Sequence, residues 1–256
     1  MRPTLACLLV VLASLAGPGC LQGEEQPFLR VVFESTNGTV VETFQDGELV
    51  ERQPAVLTFD FSQTLEQADV VAYGVEVEDS TVGVDVEEGG KGLLEVTFGH
   101  HGMHEVVLYA DVGGDRLTKE VIVRIELVMH WTENGTNDPL PAIVQMMPRN
   151  GGSPPVALNV ESTVENPALI DNLGGGQEVE VRWSLEDETH GVCQTNRATV
   201  QDNDAVTWRT AHFSSPESHE LRVAYEAGQD AVNVHHRIEV LHEAVETAPS
   251  GQQQPS

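Results

Sequence analysis

Glu178-Val179-Glu180-Val181-Arg182-Trp183 alternates polar and apolar side chains without a break. An extended chain places successive side chains on opposite faces, so this run reads as a β-strand with one face buried and one wet. Leu57-Thr58-Phe59-Asp60-Phe61 and Val75-Glu76-Val77-Glu78 obey the same period, and Val121-Ile122-Val123-Arg124-Ile125-Glu126-Leu127 is rich in β-branched residues. Glycine-bearing turn signals punctuate the runs: Asn37-Gly38, Asp46-Gly47, Gly89-Gly90, Gly113-Gly114-Asp115, Asn150-Gly151-Gly152 and Gly174-Gly175-Gly176. No amphipathic helical pattern of useful length interrupts them. Many short strands so separated predict an all-β chain built of antiparallel sandwiches.

The plan is used twice. His104-Glu105-Val106-Val107-Leu108 lines up with His219-Glu220-Leu221-Arg222-Val223, and at the same offset Gly113 meets Gly228 and Asp115 meets Asp230. Both stretches lead into another β-rich run, Val121 to Leu127 and Val234 to Leu241. Upstream, Pro54-Ala55-Val56-Leu57-Thr58 matches Pro155-Val156-Ala157-Leu158-Asn159. Two matches in the same order predict tandem domains.

Tyr73-Gly74-Val75-Glu76-Val77-Glu78-Asp79 and Val181-Arg182-Trp183-Ser184-Leu185-Glu186-Asp187 are similar to the Y-x-W-D-F-G-D strand of PKD repeats, through Tyr73 and Asp79 in one copy and Trp183 and Asp187 in the other. Gly102-Met103-His104-Glu105-Val106-Val107-Leu108 is similar to the family's later G-x-Y-x-V-x-L strand, with His104 at the aromatic position. Each half thus resembles a degenerate PKD repeat, over about residues 54–126 and 155–241. The resemblance implies two immunoglobulin-like (PKD-like) β-sandwich domains of a prokaryotic surface lipoprotein. The expected division is a signal peptide at 1–19, a tether at 20–27, sandwiches at 28–128 and 153–243, a linker at 129–152 and a disordered tail at 244–256. Ile143-Val144-Gln145-Met146-Met147 is patterned as a first strand of the second domain, which shortens that linker.

Arg2, the apolar run Leu5 to Ala16 and the small residues Gly17-Pro18-Gly19 before Cys20 form a secretory signal. The run is too short to span a bilayer, which takes about 20 apolar residues. Leu15-Ala16-Gly17-Pro18-Gly19-Cys20 resembles a lipobox, which implies acylation of Cys20 and a membrane partner through that anchor. Cleavage after Ala16 is the alternative. Cys7 leaves with the signal. Cys193 is then a lone buried thiol if Cys20 is acylated, or its disulfide partner if not.

The chain of 256 residues carries 41 acidic and 13 basic side chains, a formal net charge of −28. That balance excludes a nucleic-acid partner, which needs a basic footprint. Lys91 and Lys119 are its two lysines. Acid excess suits a surface that stays hydrated in high salt, while the lysine scarcity fits a codon bias equally well.

Histidine carries the densest chemistry. His100-His101-Gly102-Met103-His104 sets three imidazoles and a thioether in five positions, a donor set that suits copper. Carboxylates suited to calcium cluster at Asp79, Asp85, Glu87 and Glu88, and at Asp202 and Asp204, without EF-hand spacing. The His-Glu pairs at 104, 219 and 242 lack a zincin's second histidine: Leu108, Val223 and Glu246 stand there. No nucleophile elbow or phosphate loop is present. Asn37-Gly38-Thr39 and Asn134-Gly135-Thr136 are glycosylation sequons in expected turns.

The expected function is therefore non-catalytic and free of cofactors: an adhesion, ligand-interaction or spacer module at the cell surface, with a surface protein or polysaccharide as ligand. Metal binding, copper or calcium, outside the cytoplasm is the alternative. An accessory of a secreted carbohydrate-active enzyme is a third reading.

Overall fold

The computed structural model describes residues 28–78, 80–85, 91–167, 177–213, 216–228 and 231–250. The expected signal and tether, with Cys20, lie outside the described residues, as do Asp79, Glu87 and Glu88. Among the described residues no helix is long and apolar enough to cross a membrane.

The chain is all-β. The first half runs β1 (Asn37–Gln45), β2 (Glu48–Gln53), β3 (Ala55–Asp60), a four-residue helix α1 (Ser62–Leu65), β4 (Val70–Val77), β5 (Ser80–Asp85), β6 (Leu93–Phe98), β7 (Gly102–Val112) and β8 (Asp115–Thr136). The second half continues with β9 (Ala142–Val144), β10 (Ala157–Asn166), β11 (Val179–Asp187), β12 (Val192–Val200), β13 (Asp204–Phe213), β14 (His219–Ala227) and β15 (Val232–Leu241). The alternating run at 178–183 becomes β11, with Val179, Val181 and Trp183 buried and Glu180 and Arg182 exposed.

Two layers form in each half. In the first, the hairpin-like pair β3·β6 packs through Leu57, Phe59, Leu94 and Val96 onto β1, β8, β7 and β4. In the second, a sheet of order β12-β11-β14-β9 faces β13-β10-β15. Trp183, Val181 and Val223 of one layer there meet Val164, Val232 and Val234 of the other.

The sequence repeat has a structural counterpart in the strand series β3–β8 and β10–β15. In each, the first strand pairs with the fourth (β3·β6, β10·β13), and the second pairs with both the third (β4·β5, β11·β12) and the fifth (β4·β7, β11·β14). The last strand breaks the equivalence. β8 pairs with β7, whereas β15 pairs with β10 and with β8. Gly228, the repeat partner of Gly113, sits at φ +123°, where a Cβ would stand 2.0 Å from the Glu178 carbonyl oxygen. Glycine is therefore required there by contact as well as by backbone conformation.

The boundary expected at residue 128 falls inside a strand. β8 runs through it, and its odd-numbered side chains stay buried from Val121 to Glu133. Residues 115–125 pair with β7, residues 127–136 pair with β15, and β1 runs parallel along 124–132. The alternation continues through Leu127, Met129 and Trp131, so the start of the expected linker has a face to bury. The buried Glu133 carboxylate accepts the Trp131 indole N–H at 2.8 Å and the Leu140 backbone N–H at 3.1 Å, which fastens the chain as it leaves the strand. One core cluster reaches from Val121 and Ile125 to Leu158, Leu221 and Ile238, so the halves share their interior.

The tail expected to be disordered from 244 is ordered as far as residue 250. Thr247 N–H donates to the Ile122 carbonyl, and Ser250 N–H to that of Phe33. Arg124 grips Glu246 with both ends of its guanidinium, at 2.8 and 2.9 Å. That fork holds the Glu246 carboxyl down to about 2. The segment finds an otherwise open edge of β8 and so has partners its composition does not announce. Asn37-Gly38, read as a turn, instead opens β1; a Cβ at Gly38 would lie 2.9 Å from that of Ala55, so the glycine permits close packing. Asp46-Gly47 is the true turn, with φ of +49° and +84°.

Candidate functional site

The four residues singled out at 100–104 do not form one ligand set. β7 begins at Gly102, and the strand pleat sends its neighbours apart. His101 is buried, its Nδ1 3.0 Å from Nε2 of His242 and its Nε2 3.2 Å from the Gln145 carbonyl oxygen. A carbonyl only accepts, so His101 carries its proton on Nε2, and His242 donates from Nε2 to the bare His101 Nδ1. Both imidazoles are held neutral: burial lowers each, mutual repulsion adds to it for His242, and His242 is pushed down to about 4. His104 Nδ1 stands 2.8 Å from Glu78 Oε1 and its Nε2 3.3 Å from the His100 carbonyl oxygen, and the ring lies 5.1 Å from that of Phe98 in the aromatic position. His100 Nε2 accepts from Arg149 Nη1 at 3.3 Å. Met103 is half-buried, and its carbonyl accepts from Asn150.

Burial also pushes His236 down to about 3. The unfolded chain takes up protons at about pH 6.5, whereas these folded sites take them up only near 4 and 3. Below pH 6.5 the unfolded state therefore binds more protons, and stability falls with pH through the window from about 6.5 to about 3. Urea midpoints measured from pH 7 to pH 4 are expected to decline steadily. His236→Leu is expected to flatten the slope; an unchanged slope would show that the His236 imidazole does not govern it.

Three hollows run along the line where residues 143–152 cross the first half. The first, about 180 Å³, is lined by Phe44, Arg52, His100, Met129, Gln145 and Arg149 among others. The second, about 370 Å³, shares His100 and Arg149 with it and adds Glu78, Phe98 and Asn150. The third, about 480 Å³, shares Glu78 and Asn150 and ends at Glu76, Glu105 and Gly152. The hollows follow one another through these shared residues, with donors and carboxylates interspersed: Glu42 pairs with Arg52 in the first, and Glu78 lines the second and third. Asn150 braces their edge: the side-chain amide donates to the Met103 carbonyl at 2.8 Å, and its oxygen accepts from Gly152 N–H at 3.0 Å.

Arg149 is distinctive in so acidic a chain. Arg52, Arg116, Arg124, Arg182, Arg197, Arg209, Arg222 and Arg237 each hold a carboxylate, and Arg30 lies over the Phe28 ring. Arg149 has no carboxylate within ion-pair distance among the described residues; its recorded contact is neutral His100. Burial, then the positive charges of Arg149 and Arg52, lower the His100 imidazole. The guanidinium thus keeps most of its donors for a ligand. Nothing local in the sequence distinguishes Arg149 from the paired arginines.

Other expected positions fall as follows. Asn37 and Asn134 are both exposed, and the Asn37 amide donates to Glu246. Asp202 and Asp204 join no three-ligand grouping among the described residues. Cys193, expected to be a buried thiol or the disulfide partner of Cys20, is exposed, and it has no disulfide among the described residues; Cys20 lies outside them. Cys193 stands near His212 and His219 at the far end of β11 and β14.

No protein-family model matches the chain, and no curated protein matches it. Distant likenesses to solved structures are found at TM-scores below 0.3. A structure described as the basis for promiscuous specificity of carbohydrate-binding modules from the β-sandwich superfamily is 7% identical, with 84% of this chain and 96% of that chain covered and a TM-score of 0.29. Bacteroides uniformis β-glucuronidase 2 is 7% identical over 85% of this chain and 30% of its own, at a TM-score of 0.29. CBM51-2 and INT domains of Clostridium perfringens ZmpB are 9% identical over 81% and 48%, at 0.22. No residue of this chain is assigned from these likenesses.

Proposed function

We propose that the protein is a non-catalytic ligand-interaction module of the cell exterior, held at the membrane surface by acylated Cys20. Its ligand is a polysaccharide laid along the groove between the first half and residues 143–152. The observation that supports this reading is Arg149, a guanidinium without a carboxylate among the described residues of a chain of net charge −28, set where two hollows meet. Sugar hydroxyls both donate and accept. Arg149 supplies donors, Glu76, Glu78 and Glu105 supply acceptors, and the exposed Ile143 and Met147 give an apolar wall for C–H faces. The open, shallow form suits a chain rather than a small molecule sealed from water.

Calorimetric titration of the purified chain with a panel of surface polysaccharides is expected to find one that binds. Loss of a charged hydrogen bond costs about 1.5–3 kcal/mol, so Arg149→Ala weakens that binding roughly 10- to 150-fold. Binding that is indifferent to Arg149→Ala, or no binding across the panel, would remove the support.

A further inference from the structure

We propose that Cys193, His212 and His219 form a metal site for a borderline-soft divalent ion, Zn²⁺ first, with three protein ligands and an open fourth position. One donor atom from each, a thiol sulfur and two ring nitrogens, lies within 4.8 Å of the other two. A tetrahedral zinc ion with bonds of about 2.0–2.3 Å needs such atoms roughly 3.3–3.6 Å apart, so small side-chain rotations close the site. Thiolate with imidazole is the donor set that such an ion prefers over the carboxylates abundant elsewhere in this chain.

The backbone aims the cysteine. Leu185 of β11 faces Gln194 of β12, but Glu186 faces Val192, so Cys193 is the extra residue of a β-bulge. A bulge breaks the pleat and redirects the side chain of its extra residue. The redirected thiol comes from the edge of one sheet, and His212 comes from the end of β13 in the facing sheet. The two edges are tied just beside them, where Gln194 Nε2 donates to the Ala211 carbonyl at 3.0 Å. His219 supplies the base of the site. It is fully buried, with its ring edge-on to His212 at 4.8 Å between centroids.

Charge and protonation fit the same reading. Burial, then repulsion from His212, keeps His219 neutral, the state in which imidazole ligates. Partial desolvation at this exposed position, with the carboxylates of Asp187 and Glu217, holds the Cys193 thiol protonated, which the ion must overcome. Binding a dication releases that proton, and the resulting thiolate with Asp187, directly across from His219, balances the added charge. The nearby grouping Glu186, His190 and Glu220 is a weaker candidate, because Arg222 already bridges its two carboxylates.

The test uses the purified mature chain in reductant, titrated with Co²⁺ as a spectroscopic stand-in and then with Zn²⁺. One equivalent of Co²⁺ is expected to give a thiolate-to-metal charge-transfer band and intense tetrahedral bands, both erased by one equivalent of Zn²⁺. Apparent affinity rises with pH as the thiol proton competes less. Cys193→Ser abolishes the charge-transfer band. His212→Gln, at a half-exposed position that leaves the fold intact by circular dichroism, weakens Zn²⁺ binding by at least the roughly 10- to 100-fold that loss of an outer-shell partner costs. Binding that lacks the charge-transfer band, or that both variants leave unchanged, would assign the ion to surface carboxylates and overturn the proposal. Neither result depends on the polysaccharide groove.

Discussion

Trp183→Ala is expected to lower the unfolding free energy by about 3–5 kcal/mol, a large part of the roughly 5–15 kcal/mol that holds a domain of ordinary size together. Trp183 is fully buried at the centre of the second half, among Val164, Val181, Val223 and Val234. Its indole N–H donates to Ser162 Oγ at 2.8 Å across the two layers. Alanine opens a cavity between the sheets and also leaves the buried Ser162 hydroxyl without its donor. Trp183→Phe weights the two effects differently, since the phenyl ring keeps much of the packing whereas the hydrogen bond is lost entirely. The phenylalanine variant is expected to lose about 1–3 kcal/mol, mostly through Ser162. Urea unfolding followed by far-ultraviolet circular dichroism reads both. Equal losses in the two variants would show that packing around Trp183 contributes little, against the layered interior described above.

The strands that alternate cleanly, such as β3 and β11, are legible in the sequence because each has one face against a core and one against water. The pairing of those strands is less so. Nothing local in Val234–Leu241 says that β15 joins β10 and β8 whereas the matching β8 joins β7; partner choice follows from which edges remain open after the rest of the sheet has formed. Residues 129–136 show the opposite error. Leu127, Met129, Trp131 and Glu133 continue the buried alternation, but the nearby Asn, Gly and Pro residues suggest a linker. The site residues divide in the same way. His100, His101 and His104 are conspicuous because they are close in sequence, yet the pleat gives each a different neighbour. Cys193, His212 and His219 have no motif spacing. They meet because a bulge displaces one residue and two sheet edges approach, and register of that kind is fixed only by the assembled fold.

The shared strand has a consequence for cooperativity, and Val128→Pro tests it. Val128 sits in mid-β8, opposite Val41 of β1 on one edge and Glu239 of β15 on the other. Proline removes an N–H from a strand with partners on both sides and places its ring in the ladder, at a cost of about 3 kcal/mol or more. Val50 supplies the control. It is exposed on β2, which pairs only with β1 among the described residues, and it is the extra residue where Thr43 faces Glu51 and Phe44 faces Leu49. Proline is tolerated at an edge bulge, so Val50→Pro is expected to cost less than about 1 kcal/mol. For Val128→Pro, the loss is expected to spread to both halves. Fluorescence of Trp131, Trp183 and Trp208 reports the junction and second half, and segment-resolved hydrogen exchange reports β3–β7. In the parent and in the variant these probes are expected to lose structure together, because β8 pairs with strands of both halves and the core cluster around it reaches into both. If exchange in β3–β7 kept its protection while tryptophan fluorescence reported unfolding, the halves would be separable domains and β8 merely the chain that joins them.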